Sequence, residues 1–307
     1  MVRHLLADDD LNPAEQAEIL DLAARLKAEP FDHKPLAGPV TVAMIFDKPT
    51  LRTQSSFAAG IAELGGHPML VDGALAGIGV RESVADVARV LGRQAGQVVW
   101  RTFEQAALEQ MAEHAGVPVV NALTDDFHPC QLLADLLTVR EHKGELPGLR
   151  AVFLGDAACN MGNSWALAGA TAGMHVVLAG PDGYHPDEAV VERARRIATE
   201  TGGSVEITED PEQAIKDADV VVTDTWVSMG KELEAAERLA QLEPYRLDDT
   251  LLRGAAEGAI VMHCLPAYRG KEITAEVLEG PASVIWDEAE NRRHVQKAVM
   301  SWLQERR

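Results

Sequence analysis

Residues 40–66 read VTVAMIFDKPTLRTQSSFAAGIAELGG. Seven mostly apolar residues, 40–46, run straight into Lys48, Pro49, Thr50, Leu51, Arg52, Thr53, Gln54, Ser55 and Ser56. A short apolar run closed by turn residues predicts a buried strand, and residues 53–64 carry the spacing of a helix. A strand that passes at once into a helix is the repeating unit of a parallel sheet.

That unit recurs along the chain. Further strands are expected at 68–71, 97–101, 117–121, 150–155, 175–180, 204–208, 219–224 and 258–263. Helices are expected at 83–93, 104–115, 130–143, 162–173, 187–201, 211–217, 233–241 and 289–305. The alternation predicts an α/β fold of two doubly wound domains, each a mainly parallel sheet with helices on both faces. A length of 307 residues exceeds the usual single domain. The stretch HKGELPGLR, 142–150, marks the boundary, because Gly144, Pro147 and Gly148 separate a long helix from a new strand. In open parallel sheets ligands collect beyond the carboxyl ends of the strands, so the chemistry is expected there.

Composition narrows the function. With 28 Lys and Arg against 48 Asp and Glu, the net charge is -20, which argues against nucleic acid and anionic membranes as partners. No apolar run approaches the roughly 18 residues of a membrane span. The beginning, MVRHLLADDDLNPAEQAEIL, has acids where a secretion signal would be apolar, so a cytoplasmic protein is expected. Cys130, Cys159 and Cys264 are too few for a disulfide framework. An anion site in so acidic a chain has to be local and tightly built.

The opening stretch offers one. Thr50, Arg52 and Thr53 fall where a strand stops and a helix begins, where free N–H groups and the helix dipole favour an anion. Arg52 adds a donor fork matched to phosphate. Read alone, the same residues fit an ordinary helix cap. WRTF, 100–103, ends another strand with Arg101 at the same edge, though a lone Arg is more often a surface residue. FHPCQLLADLLTV, 127–139, opens a helix with His128, Pro129 and Gln131; the proline fits a first turn, and a His and an amide beside it suit a carbonyl and an NH₂ group.

The second half carries its own candidates. LGDAACNMGNSWALAG, 154–169, lacks the G-x-G-x-x-G of a dinucleotide turn and presents Asn160 and Asn163 instead. VVVTDTWVSMGKE, 220–232, ends a strand with Asp224 and continues into Ser228 and Met229; the carboxylate suits an ammonium group, or merely caps a turn. IVMHCLPAYRG, 260–270, ends a strand with His263, Cys264 and Leu265. Without C-x-x-C or H-E-x-x-H, zinc is not expected, and no other metal ligand set stands out. Neighbours on an extended strand point to opposite faces, so His263 is not expected to serve Cys264 as a base. WDEAENRRHVQKAVMSWL, 286–303, is a final helix with Arg292 near its start.

Taken in order, TLRT (50–53), WR (100–101), HPCQ (128–131), N-M (160–161), D-x-x-x-S-M-G (224–230), HCLP (263–266) and ENR (290–292) resemble the motifs of the aspartate/ornithine carbamoyltransferase family over essentially the whole chain. The D-x-x-x-S-M-G and HCLP pair resembles its ornithine-specific members, of the actinobacterial type. The resemblance implies a first domain, 1–145, that binds carbamoyl phosphate, a second, 146–288, that binds ornithine, and a final helix, 289–307, packing back on the first. It implies a homotrimer, no cofactor, and transfer of a carbamoyl group to the δ-amine of L-ornithine, giving citrulline and phosphate. It places phosphate on Thr50, Leu51, Arg52 and Thr53 with Arg101, and the carbamoyl oxygen on Thr53, Arg101 and His128. Gln131, Cys264 and Leu265 would hold the carbamoyl NH₂, with Arg292 closing the site, and Asn160, Asp224, Ser228 and Met229 would take ornithine.

The chain departs from the family pattern at four places. The family's S-T-R-T-R is here Thr50-Leu51-Arg52-Thr53-Gln54; a loop Gln falls on Gly77; and the first Asn of N-N is Cys159. These departures leave two alternatives beside the ornithine enzyme: a carbamoyltransferase for an ornithine analogue or other amine, and a catalytically impaired binding or regulatory subunit.

Overall fold

Four strands, β1 (Thr41–Phe46), β2 (His67–Asp72), β3 (Gln97–Arg101) and β4 (Val119–Leu123), pair in parallel in the order β2-β1-β3-β4. Five more, β5 (Arg150–Leu154), β6 (His175–Ala179), β7 (Ser204–Thr208), β8 (Val220–Thr223) and β9 (Ile260–Met262), pair in parallel in the order β7-β6-β5-β8-β9. These are the two parallel sheets the alternation predicts. The computed structural model describes residues 2–227 and 231–306.

Successive residues of a strand face opposite sides, yet Val42, Ala43, Met44 and Ile45 are all buried, as is every residue of β3 and β8. Both faces of these strands are therefore covered, which is why they read as continuous apolar runs rather than alternating ones. In each sheet the strand order reverses once, between β1 and β3 and between β5 and β8. At such a reversal the loops leaving the two strands run to opposite faces and open a crevice at the carboxyl ends.

By packing, the chain forms two compact units, Met1–Leu137 with Glu290–Arg307, and Thr138–Ala289. The division falls inside helix Pro129–Lys143, upstream of the Gly- and Pro-rich stretch 142–150. A helix satisfies its own backbone, so a single helix can finish one core and begin another.

One long helix escapes the strand–helix rhythm. Helix Pro13–Ala28 precedes β1 and is stopped upstream by a capping box, in which Asn12 accepts from the N–H of Glu15 and the Glu15 side chain accepts from the N–H of Asn12. The final helix, Ile285–Glu305, belongs to the first unit from Glu290 on and meets it there, Trp302 Nε1 donating to Glu18 at 2.9 Å. Lys297 is fully buried there, its Nζ donating to the carbonyls of Leu26 and Pro30, both at 3.1 Å, and to Glu63 at 2.7 Å. A Cβ at Gly60 would lie 3.0 Å from Lys297 Cγ, so glycine leaves room for that stem. Among the described residues no helix is long and apolar enough to cross a membrane.

Candidate active site

The first crevice is built from the ends of β1, β3 and β4. Arg101, the last residue of β3, pairs in register with Phe46, the last of β1. The β3–β4 register shifts between Trp100 and Arg101. An irregularity of this kind re-aims a side chain at a strand end. Past β1, helix Arg52–Glu63 starts from Leu51, which is 79% exposed and supplies no side-chain cap. The positive end of that helix takes no cap from Leu51 and stands beside the exposed Arg52 and the half-buried Thr50.

Behind it lies a chain of buried polar contacts. Thr53 Oγ1 accepts from Arg292 Nη2 at 2.9 Å and, more weakly, from Arg101 Nη1 at 3.5 Å. Arg292 Nη1 donates to Gln131 Oε1 at 2.8 Å, and Gln131 Nε2 donates to Asp135 Oδ1 at 2.8 Å. Arg101, Arg292, His128 and Gln131 are all buried, an uncommon place for guanidinium groups. Lys48 is buried too, its ammonium paired with Asp125 and 4.4 Å from the ring centroid of Phe103. Burial first, and then the positive charges of Arg292, Arg101, Arg52 and Lys48, hold the His128 imidazole well below the ordinary histidine range. His128 is neutral among four cations. An anion entering this crevice would meet the buried guanidinium groups of Arg101 and Arg292.

The second crevice gathers the ends of β8 and β9. Asp224 follows β8, its Oδ1 accepting the Thr225 N–H at 2.7 Å and the Cys264 thiol at 3.2 Å. Burial raises the Asp224 carboxyl, opposed by His263 and by these hydrogen bonds. One expectation needs correction here. The strand β9 stops at Met262, so His263 and Cys264 lie beyond it and strand alternation does not separate them. Ligating atoms of Asp224, His263 and Cys264 all lie within 4.8 Å of one another. His263 is still no base for the thiol. Its Nδ1 accepts the Leu265 N–H at 2.9 Å, which puts the ring hydrogen on Nε2, 3.2 Å from the buried Glu272. The same bonding uses the lone pair a metal would need, so the trio does not fit a metal centre.

Cys159 precedes helix Asn160–Thr171 at the end of β5, and Asn160 opens that helix, half-buried. Burial, and then the carboxylates of Asp156 and Asp224, push the Cys159 thiol well up. The strand passes into this turn through Gly155, at φ +116°, where a Cβ would meet Trp226 Nε1 at 2.8 Å. Ser228 and Met229 lie outside the described residues.

Thr53, Arg101, His128, Gln131 and Arg292 thus come together in the first unit, and Asp224 with Cys264 in the second. The site list from sequence omits three groups. Lys48 stands in the opening stretch, one of two cations at the mouth of the strand, but has no role of its own there. Asp135 follows Gln131 at helical i, i+4 spacing, a signal present in HPCQLLAD. Asp156 is bonded by Arg238 Nη1 at 2.6 Å, and Arg238 also donates to the Trp226 carbonyl at 3.3 Å; no local pattern links the two.

Comparison with known families decides the lineage. Residues 3–141 match the aspartate/ornithine carbamoyltransferase carbamoyl-P binding domain, and residues 147–303 match the Asp/Orn binding domain of the same family. The chain belongs to the aspartate/ornithine carbamoyltransferase family. Among the members of this carbamoyltransferase family, the ornithine carbamoyltransferase of Clavibacter michiganensis subsp. michiganensis is 60% identical over 303 residues, covering 99% of each chain. The solved ornithine carbamoyltransferase of Pyrococcus furiosus superposes with a TM-score of 0.93 at 43% identity, over 97% of this chain and 96% of that one. That of Gloeobacter violaceus gives 0.89 at 44% identity, over 98% of both.

Proposed function

We infer that the protein transfers the carbamoyl group of carbamoyl phosphate to the δ-amine of L-ornithine, giving citrulline and phosphate. The observation that carries this reading is the cluster of buried cations, Lys48, Arg101 and Arg292, with Thr53 bonded by both guanidinium groups and His128 buried among them. Such a pocket suits a phosphorylated donor whose carbonyl oxygen gains negative charge during reaction.

In this reading the phosphate sits on the uncapped helix start at Thr50–Thr53 with the Arg52 guanidinium. The Thr53 oxygen accepts from two guanidinium groups, so its hydrogen is left to donate to the carbamoyl oxygen. Neutral His128 offers a ring N–H to the same oxygen. Donors fixed before charge develops supply electrostatic stabilisation worth about 2.7–4 kcal/mol each in comparable sites. The amine lone pair attacks the carbamoyl carbon, the carbon–oxygen bond to phosphate breaks, and a proton leaves the amine. That amine is an ammonium in solution, with an amine pKa of about 10.4, and must be neutral to attack. The raised carboxyl of Asp224 supports it as ammonium binder and proton acceptor, with Cys264 and Asn160 as further ornithine contacts in this reading.

Steady-state assay of citrulline formation tests this, with aspartate and acetylated ornithine run beside ornithine. Citrulline with ornithine as the preferred acceptor is expected. Preference for another amine, or carbamoyl phosphate binding without turnover, overturns it.

We also infer a cytoplasmic homotrimer with no nucleic-acid or membrane partner. The family resemblance supports the trimer. So do Leu51, Leu75 and Val80, large apolar side chains exposed within one stretch, Val80 at 94%. Light scattering on the purified protein reads the mass; a monomer counts against it.

A further inference from the structure

The amide of Gln131 has one orientation open to it. On one side, Arg292 Nη1 lies 2.8 Å from its Oε1, and a guanidinium has donors only. On the other, Asp135 Oδ1 lies 2.8 Å from its Nε2. Turning the amide over would set donor against donor at Arg292 and acceptor against acceptor at Asp135.

Asp135 is fully buried, one turn after Gln131 on helix Pro129–Lys143. A carboxylate in such a place is costly to the fold unless it is bonded, and an apolar residue would fill the space at less cost. We propose that Asp135 is a positioning residue of the transfer reaction, and that it sets the preference for a carbamoyl donor over an acyl donor. By accepting from Nε2 it keeps Gln131 Oε1 turned outward. An amide oxygen has two lone pairs; one is taken by Arg292, and the other receives an N–H of the carbamoyl NH₂. Acetyl phosphate has the same phosphate and carbonyl but a methyl group in that place, and gains nothing from the oxygen. Through Arg292 the same lock reaches Thr53, so the amide acceptor and the hydroxyl donor are held by one chain of bonds. The proposal rests on the carbamoyl-transfer reading.

The test compares calorimetric binding of freshly dissolved carbamoyl phosphate and of acetyl phosphate to the wild type, Asp135→Asn and Asp135→Leu, with turnover measured in parallel. The wild type is expected to prefer carbamoyl phosphate by about tenfold or more. Asp135→Leu should bring the two ligands to within about twofold: any loosening of Thr53 weakens both alike, and the amide contact is lost by carbamoyl phosphate alone. Asp135→Asn, whose amide oxygen can still accept, should keep most of the preference. A folded Asp135→Leu that retains the full preference overturns the proposal, as does one that loses both affinities in equal measure. Should Asp135→Leu not fold, the side-chain amide signals of Gln131, assigned by their loss in Gln131→Met, decide between the wild type and Asp135→Asn. The proton facing the carboxylate should move upfield in Asp135→Asn, and an unmoved signal overturns the proposal. The two readings fail separately. A wild type that makes no citrulline and binds neither ligand removes both; a competent wild type with indifferent Asp135 variants removes only this one.

Discussion

The thiol of Cys264 donates to Asp224 Oδ1 across 3.2 Å, two strand ends joined by one hydrogen bond. The pair keeps an uncomfortable carboxylate in place, since burial has raised its pKa.

Asp224→Asn should lower kcat/KM for ornithine roughly 10- to 150-fold, the equivalent of a charged hydrogen bond of about 1.5–3 kcal/mol, while the KM for carbamoyl phosphate stays put. If Asp224 binds the ammonium as proposed it must be ionised, so wild-type kcat/KM for ornithine should fall as pH drops through the raised Asp224 pKa. That acid limb should disappear from the profile of Asp224→Asn. A limb that survives the substitution assigns it to another group.

Acid should also unfold the protein through its buried histidines. His128 is held well below the ordinary range by burial and four cations, and His294 is lowered to about 4, chiefly by burial. In the window from the unfolded value near 6.5 down to the folded ones, the unfolded chain binds more protons. Stability is therefore complete above about pH 6.5 and is lost as pH falls below it, by at most about 1.4 kcal/mol per pH unit for each histidine. Urea unfolding at pH 7.5 and 5.5 reads the difference, and His294→Gln should make it smaller.

Leu51→Ser returns a hydroxyl to the start of helix Arg52–Glu63, where no side chain now caps. The KM for carbamoyl phosphate should fall by about 3- to 10-fold, within the range of one added hydrogen bond to phosphate. Leu51 is exposed, so the stability change should stay within about 0.5 kcal/mol. An unchanged KM means that the backbone N–H alone serves at this position.

Lys297→Met would leave Glu63 and two carbonyls facing an apolar stem in the first unit. Breaking a buried pair by removing one partner costs roughly 3–5 kcal/mol; Arg293, 3.3 Å from Glu63, should keep the loss near the low end. Chemical denaturation measures it, and kcat in the folded fraction should hold.

Much of this was legible in the residues alone. Strands β1 and β3 are buried on both faces, and so announced themselves as unbroken apolar runs. The places of Arg52, at a helix start after β1, and Arg101, at the end of β3, were readable from the same runs. Helix Pro13–Ala28 lies outside the strand–helix alternation, and only Asn12, Pro13 and Glu15 spell its start. Lys48 and Asp135 are different, since their sequence neighbours do not show that they are buried. Their significance is burial, and burial depends on partners such as Asp125 and Phe103 that are distant in sequence. The placement of His263 beside Cys264 followed from where β9 stops, and strand ends are the least certain part of any reading by pattern.

Thr53 and Arg292 bond across 239 residues of chain. At about 5–20 residues per second, synthesis separates the two by on the order of tens of seconds. A growing polypeptide on the ribosome therefore carries β1, Arg52, Arg101 and His128 long before Arg292 can join Thr53, and under the proposed reading the newborn protein acquires its anion grip only as the final helix emerges.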